Sequence, residues 1–119
     1  MGSINTYVRA KSELDPGLNI FRSIIKEVDN LKITTAVQVF GTGSFDAFNI
    51  GNDISTVEML YLFNQDASDY LIISADDGVG NDMKIMPEES IFFKPSPNAT
   101  IVAKANSGSV TVNIIAAGT

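Results

Sequence analysis

Val57-Glu58-Met59-Leu60-Tyr61-Leu62-Phe63 opens a series of short apolar runs that continues to the end of the chain. Tyr70-Leu71-Ile72-Ile73, Met83-Lys84-Ile85-Met86, Ser90-Ile91-Phe92-Phe93, Thr100-Ile101-Val102-Ala103 and Val110-Thr111-Val112-Asn113-Ile114-Ile115 follow it. Their β-branched and aromatic side chains suit a pleated, half-buried surface. Turn formers separate them: Asn64-Gln65-Asp66, Asp76-Asp77-Gly78, Pro95-Ser96-Pro97-Asn98 and Asn106-Ser107-Gly108. Runs of this kind at a spacing of roughly 8–12 residues predict an antiparallel sandwich or barrel.

Ahead of that stretch, Ile33, Thr35, Val37 and Val39 alternate with Thr34, Ala36, Gln38 and Phe40, the period of a strand. Gly41-Thr42-Gly43-Ser44 turns the chain before a further short run through Phe45, Phe48 and Ile50. Val57 to Phe63 is apolar on both faces apart from Glu58, which predicts a central strand covered on both sides. Val110, Val112 and Ile114 alternate with Thr111 and Asn113, which predicts a strand with one wet face. Eight or nine strands result. The fold class is all-β, an antiparallel β-sandwich of jelly-roll or Greek-key type.

The N-terminal region is less regular. Ile4, Tyr7, Val8 and Leu14 lie among polar residues, so residues 1–15 read either as a partly ordered chain end or as an arm lying on a neighbouring subunit. Residues 16–119 are expected to form one sandwich domain. Between Asp15 and Leu31 two periods compete. Asp15 as a cap, Pro16 at a first helical position, and Leu18, Phe21, Ile25, Val28 and Leu31 every three or four residues favour one short helix. Ile20, Ile24 and Val28 equally share one face of a strand, and Gly17 weakens a first helical turn. These residues lean to one short helix but leave a strand open, and the resemblance described below leans to the strand.

Composition excludes more chemistry than it offers. A chain of 119 residues is one domain's worth, and a chain of this size buries about two-thirds of its surface on folding, enough for a core without staples. It has no Cys and no His. Disulfides, thiol nucleophiles, imidazole general bases and imidazole metal ligands are therefore all removed. Trp is absent too, which weakens a sugar-stacking platform. A net charge of −6 with only eight Lys and Arg disfavours nucleic acid as a partner, because phosphate contacts need clustered cations. No run approaches the ~20 apolar residues of a membrane helix. The N-terminus lacks the basic-then-apolar pattern of a secretory signal, so membrane partners and export are not expected.

Two polar clusters raise candidate chemistry. Asp76-Asp77-Gly78-Val79-Gly80-Asn81-Asp82 offers Asp76, Asp77 and Asp82 as oxygen ligands for calcium. The spacing does not fit an EF-hand loop, and Asp-Gly is also what a tight hairpin turn requires. The turn is the preferred reading. Asp66, Asp69, Glu88 and Glu89 could pair as glycosidase carboxylates, but they fall at predicted turns and nothing in the sequence fixes the needed separation. Gly41-Thr42-Gly43-Ser44 lacks the Lys of a phosphate-binding loop. Tyr61, Tyr70, Phe92 and Phe93 could line a pocket, although aromatic residues in strands usually fill a core. No catalytic residue, cofactor or metal is expected.

Tyr61-Leu62-Phe63-Asn64-Gln65-Asp66-Ala67-Ser68-Asp69-Tyr70-Leu71-Ile72-Ile73 resembles a pattern in small structural proteins encoded by tailed bacteriophages. There, a strand ending in an aromatic and an Asn leads through an Asp-Ala-Ser turn into a second aromatic-led strand. Met86-Pro87-Glu88-Glu89-Ser90-Ile91-Phe92-Phe93 is similar to the Pro-Gly-Glu turn and apolar strand that follow in that group, with Glu88 where Gly is usual. Ile101 to Asn106 and Val110 to Ile115 complete the likeness, which covers about the second half of the chain.

The resemblance implies a non-enzymatic virion component, a capsid decoration or cement subunit that binds the major capsid protein as a homotrimer. Under that reading Tyr7, Val8 and Phe21 are the guessed shell or subunit contacts. A tail or head-fibre component binding host-surface glycan is the alternative, with Tyr61 or Tyr70 as stacking groups. A calcium-dependent binding module is the third.

Overall fold

The computed structural model describes residues 2–11, 19–96 and 100–119, with backbone only for 6–11 and 19–28. Its contacts group the chain into two compact units, Met1–Leu31 and Lys32–Thr119. The sequence had placed the division after residue 15.

The first unit is a two-stranded antiparallel ladder of β1 (Gly2–Lys11) and β2 (Asn19–Val28). The register runs unbroken from Gly2 opposite Val28 to Lys11 opposite Asn19. The short helix expected in this region is corrected to a strand over Asn19–Val28, while residues 15–18 lie outside the described residues. Ile20, Ile24, Ile25 and Val28 explain the outcome. Their β-branched side chains are stiff at χ1 and favour the pleat, and β1 supplies a partner for every rung.

The second unit holds eight strands. These are β3 (Lys32–Phe40), β4 (Asp46–Ala47), β5 (Val57–Asn64), β6 (Leu71–Ser74), β7 (Met83–Ile85), β8 (Ser90–Phe93), β9 (Val102–Ala105) and β10 (Val110–Gly118). With the first unit this makes ten strands among the described residues, against the eight or nine expected.

Pairing is nested. β3 pairs with β10, β4 with β9, β5 with β8 and β6 with β7, so the segment is one long antiparallel hairpin folded over on itself. Wrapping then adds β10 to β5 and β9 to β6. Two four-stranded antiparallel sheets result, β3-β10-β5-β8 and β4-β9-β6-β7. This order is the jelly-roll arrangement. The expected sandwich is present.

The core lies between the sheets. Phe40, Leu60, Leu62, Val110, Val112 and Ile114 enter from the first sheet; Leu71, Ile73, Ile85, Ala103 and Ala105 enter from the second. Phe40 and Phe48 meet edge to face, with centroids 5.2 Å apart. Burying Phe40 fixes the parity of β3, because a strand shows alternate residues to opposite faces. Thr34, Ala36 and Gln38 therefore face inward. Thr34 Oγ1 donates to the Ile50 carbonyl at 2.8 Å and Gln38 Nε2 to the Ala47 carbonyl at 2.9 Å. Ile33, Val37 and Val39 face outward, each more than 60% exposed.

β10 follows its predicted pattern, with Val110, Val112 and Ile114 buried and Thr111 and Asn113 partly exposed. β5 is central, between β10 and β8, as expected. Its cover on both faces is corrected: Leu60 and Leu62 are buried, but Met59, Tyr61 and Phe63 stand half-buried on the outer face.

Candidate functional site

Three places in the second unit gather polar or unusual chemistry: the 75–82 loop, the 64–70 turn and the outer face of the β3-β10-β5-β8 sheet. The loop joins β6 to β7. Ser74, fully buried at the end of β6, donates its hydroxyl to Asp76 Oδ1 at 2.7 Å and accepts the Gly78 N–H at 2.9 Å. Asp76 Oδ1 also accepts the Gly80 N–H at 2.9 Å. The Ser74 hydroxyl and the Gly80 N–H hold the Asp76 carboxyl below its usual value, since both stabilise the anion. Asp77 and Gly78 both have positive φ, 58° and 90°, and the Val79 N–H returns to the Asp76 carbonyl at 3.3 Å. Positive φ at both central residues is the type I′ requirement that Asp-Gly meets. Asp82 closes the loop by accepting the Ala75 N–H at 2.8 Å.

This loop spends its carboxylates on its own backbone. Asp76 and Asp82 converge: a Cβ built on Gly80 would sit 3.4 Å from Asp76 Oδ2 and 3.0 Å from Asp82 Oδ1. Asp77 instead supplies a turn residue. Among the described residues no group of three or more His, Cys, Asp or Glu is placed to hold a metal ion. Of the three calcium candidates the structure thus brings Asp76 and Asp82 together, each bonded to an N–H of the loop itself.

Asn64 organises the second place. It is fully buried at the end of β5 and donates from Nδ2 to the Asp69 carbonyl at 2.9 Å and the Ile85 carbonyl at 3.1 Å. Its Oδ1 accepts the Asp66 N–H at 2.8 Å. Asp66 Oδ2 in turn accepts N–H groups from Asp69 at 2.6 Å and Ser68 at 3.1 Å, which lowers its carboxyl pKa. The Asn-Gln-Asp-Ala-Ser-Asp segment is therefore a hydrogen-bonded turn. Glu88 adopts φ 62° in the Met86-Pro87-Glu88-Glu89 turn, and the Glu89 N–H bonds the Met86 carbonyl at 3.1 Å. The Asp66 and Glu89 carboxylates accept N–H groups of these turns, Glu89 from Met86 at 3.2 Å, and Asp69 and Glu88 are residues of the same turns, as their positions in the sequence suggested.

The aromatic candidates separate. Phe93 packs against the core. Tyr61 and Phe92 are opposite each other in the β5-β8 register on the outer face, where Phe92 is exposed, so core filling is corrected for both. Tyr70 belongs to the other sheet's side, with Lys84 Nζ 4.8 Å from its ring centroid. Tyr61 and Tyr70 do not share a platform. A cleft of about 460 Å³ opens beside Phe48, Ile50, Val57, Leu60 and Ile101. Lys94 at its edge is paired with Glu58 at 2.8 Å. With neither His nor Cys in the chain, the hydroxyls at Ser55, Thr56 and Thr100 have no imidazole or thiol partner there.

Tyr7, Val8 and Phe21 fall on neighbouring rungs of the β1-β2 ladder, where Tyr7 faces Ser23, Val8 faces Arg22 and Arg9 faces Phe21. Their side chains lie outside the described residues.

The outer sheet face was missed from sequence. It combines Ile33, Val37 and Val39 of β3 with Met59, Tyr61 and Phe63 of β5 and Phe92 of β8, joined through Thr111, Asn113 and Ile115 of β10. The outward positions of β3, β10 and β8, and those of β5 from Met59 to Phe63, hold no Asp, Glu, Lys or Arg; Glu58, at the register shift at the start of β5, is paired with Lys94. The opposite sheet differs, with Ile72 flanked in register by Lys84 and Lys104. The alternation of Ile33, Val37 and Val39 was visible, but not which face of β3 turns outward.

No protein-family model matches this chain, and no curated protein or solved structure matches it either.

Proposed function

We propose that this protein is a non-enzymatic virion structural subunit of a tailed bacteriophage, one that decorates and stabilises an assembled capsid shell. The observation that carries the reading furthest is the β1-β2 ladder, a two-stranded sheet of its own ahead of a complete jelly roll. A two-stranded ribbon is marginal in water by itself and gains stability by docking on another body. The sandwich is the rigid subunit and the ribbon its attachment element, with Tyr7, Val8 and Phe21 as contacts to the major capsid protein. The resemblance in the second half of the chain supplies the virion setting and a homotrimer as the repeated unit. An acidic chain also fits docking onto basic patches of a shell.

The test is co-sedimentation of the full-length protein with assembled shells and with free shell subunits. Binding to assembled shells alone, weakened at least about tenfold by Tyr7→Ala or Phe21→Ala, is the expected result. Equal binding to both forms of the shell protein counts against the reading.

The Tyr61–Phe92 pair on the outer sheet favours a second reading, a fibre component whose aromatic pair stacks on host-surface sugar. A flat response on a glycan array would remove it.

A further inference from the structure

We infer that the outer face of the β3-β10-β5-β8 sheet is where a second copy of this chain binds, sheet against sheet. The face holds Ile33, Val37 and Val39 at 63%, 66% and 61% exposure and Phe92 at 41%. Tyr61 and Phe63 lie half-buried between them. Four strands at about 4.8 Å spacing, over the length of β10, give a face of roughly 500 Å². Most of its outward positions are apolar, Thr35, Thr111, Asn113 and Ser90 being the polar ones, and exposed apolar patches of this kind mark interaction sites. Two copies would bury about 1,000 Å² in total, the size at which a specific interface begins.

Charge selects the occupant. The chain carries −6, so most ways of bringing two copies together oppose carboxylates. The outward positions of β3, β10 and β8 and of β5 from Met59 to Phe63 carry no charge, and Glu58 at the end of the face is neutralised by Lys94 at 2.8 Å, so two copies meeting here bring few like charges together. A basic or acidic partner would find on this face only charges that already pair with each other, Glu58 and Lys94. Sheets pack face to face at about 10 Å with interdigitating side chains, and the β-branched residues of β3 and the rings of β5 and β8 present the relief for that. A patch meeting its own copy is isologous. The assembly therefore holds an even number of chains, as a dimer or, if another surface closes a ring, as two rings back to back. Shell binding is a separate matter, so failure of one leaves the other standing.

Light scattering on the full-length protein across micromolar to sub-millimolar concentration tests this, together with Val37→Lys and a control, Val79→Lys, in the exposed 75–82 loop. The wild type and Val79→Lys should form an even-numbered, concentration-dependent assembly of the 12.8 kDa chain, and Val37→Lys should halve its mass. Thermal unfolding should show Val37→Lys as folded as the wild type, because its side chain is exposed. A monomer throughout, a bare trimer, or an assembly unchanged by Val37→Lys would overturn the inference.

Discussion

Asn64 ties the two sheets of the sandwich together: its Nδ2 on β5 donates 3.1 Å to the carbonyl of Ile85 on β7, in the opposite sheet. Every polar atom of its amide group is used. Nδ2 also donates to the Asp69 carbonyl, and Oδ1 accepts from the Asp66 N–H. A fully satisfied buried amide specifies one arrangement of the layers, because any shift leaves a partner unpaired in a dry core.

Asn64→Ala removes those three bonds and leaves buried backbone groups without partners. The expected loss is about 2–4 kcal/mol, read from the denaturant midpoint at unchanged slope. Asn64→Leu fills the space yet should also destabilise, since volume does not replace the bonds.

Glu88 occupies the left-handed region at φ 62° with an exposed side chain. A non-glycine residue there costs about 1–2 kcal/mol, partly offset by the greater unfolded-state freedom of Gly. Glu88→Gly should raise stability by about 0.5–1 kcal/mol, and thermal unfolding would move up by a few degrees. A fall in the melting temperature would show that the Glu88 side chain supports the turn.

Gly118 sits where β10 passes β5, at the register shift after Ala117. A Cβ there would run into the Thr56 carbonyl oxygen and lie 2.9 Å from Ile54 Cγ2. Gly118→Ala should cost about 2–4 kcal/mol, as backbone cannot yield the way a flexible side chain can. Equilibrium unfolding of the variant measures it.

Phe40 is fully buried and sets the parity of β3. Phe40→Ala should lose about 3–5 kcal/mol through the cavity left beside Phe48.

Asp66 and Asp76 both have carboxyl pKa values lowered from the ordinary 3.8, Asp66 chiefly by the Asp69 N–H and Asp76 chiefly by the Ser74 hydroxyl. A depressed folded pKa means the unfolded state binds protons more readily. Their contribution is complete above the unfolded value near pH 4 and is lost as pH falls through the lower folded values. Unfolding midpoints should be flat in this respect above about pH 5 and decline below pH 4. The double variant Asp66→Asn, Asp76→Asn should show a shallower decline, measured as melting temperature against pH.

The Asp77-Gly78 turn, the buried alternation of Val110, Val112 and Ile114 and the strand at residues 32–40 were all readable from local pattern. Turn chemistry and period 2 are properties of neighbouring residues, so a single chain displays them. Asn64 was not readable: in sequence it is an amide at a turn, and its burial comes from β7. The 19–28 segment misled because its apolar spacing fits both a helix and a strand, and pairing with β1 decided between them.

By itself the sequence determined where the second unit's main strands run, which turns join them, and that no thiol or imidazole chemistry is present. Only the tertiary structure decided which sheet each strand enters and which face meets the core. For β3 the choice turned on Phe40, which had to be buried, and so the more apolar side of the strand, with Ile33, Val37 and Val39, was left facing outward. The physical reason is that a strand's period fixes two faces but assigns neither. Strands such as β3 and β10, at opposite ends of the folded hairpin, receive their assignment only by pairing, and the core is dry only in one of the two parities.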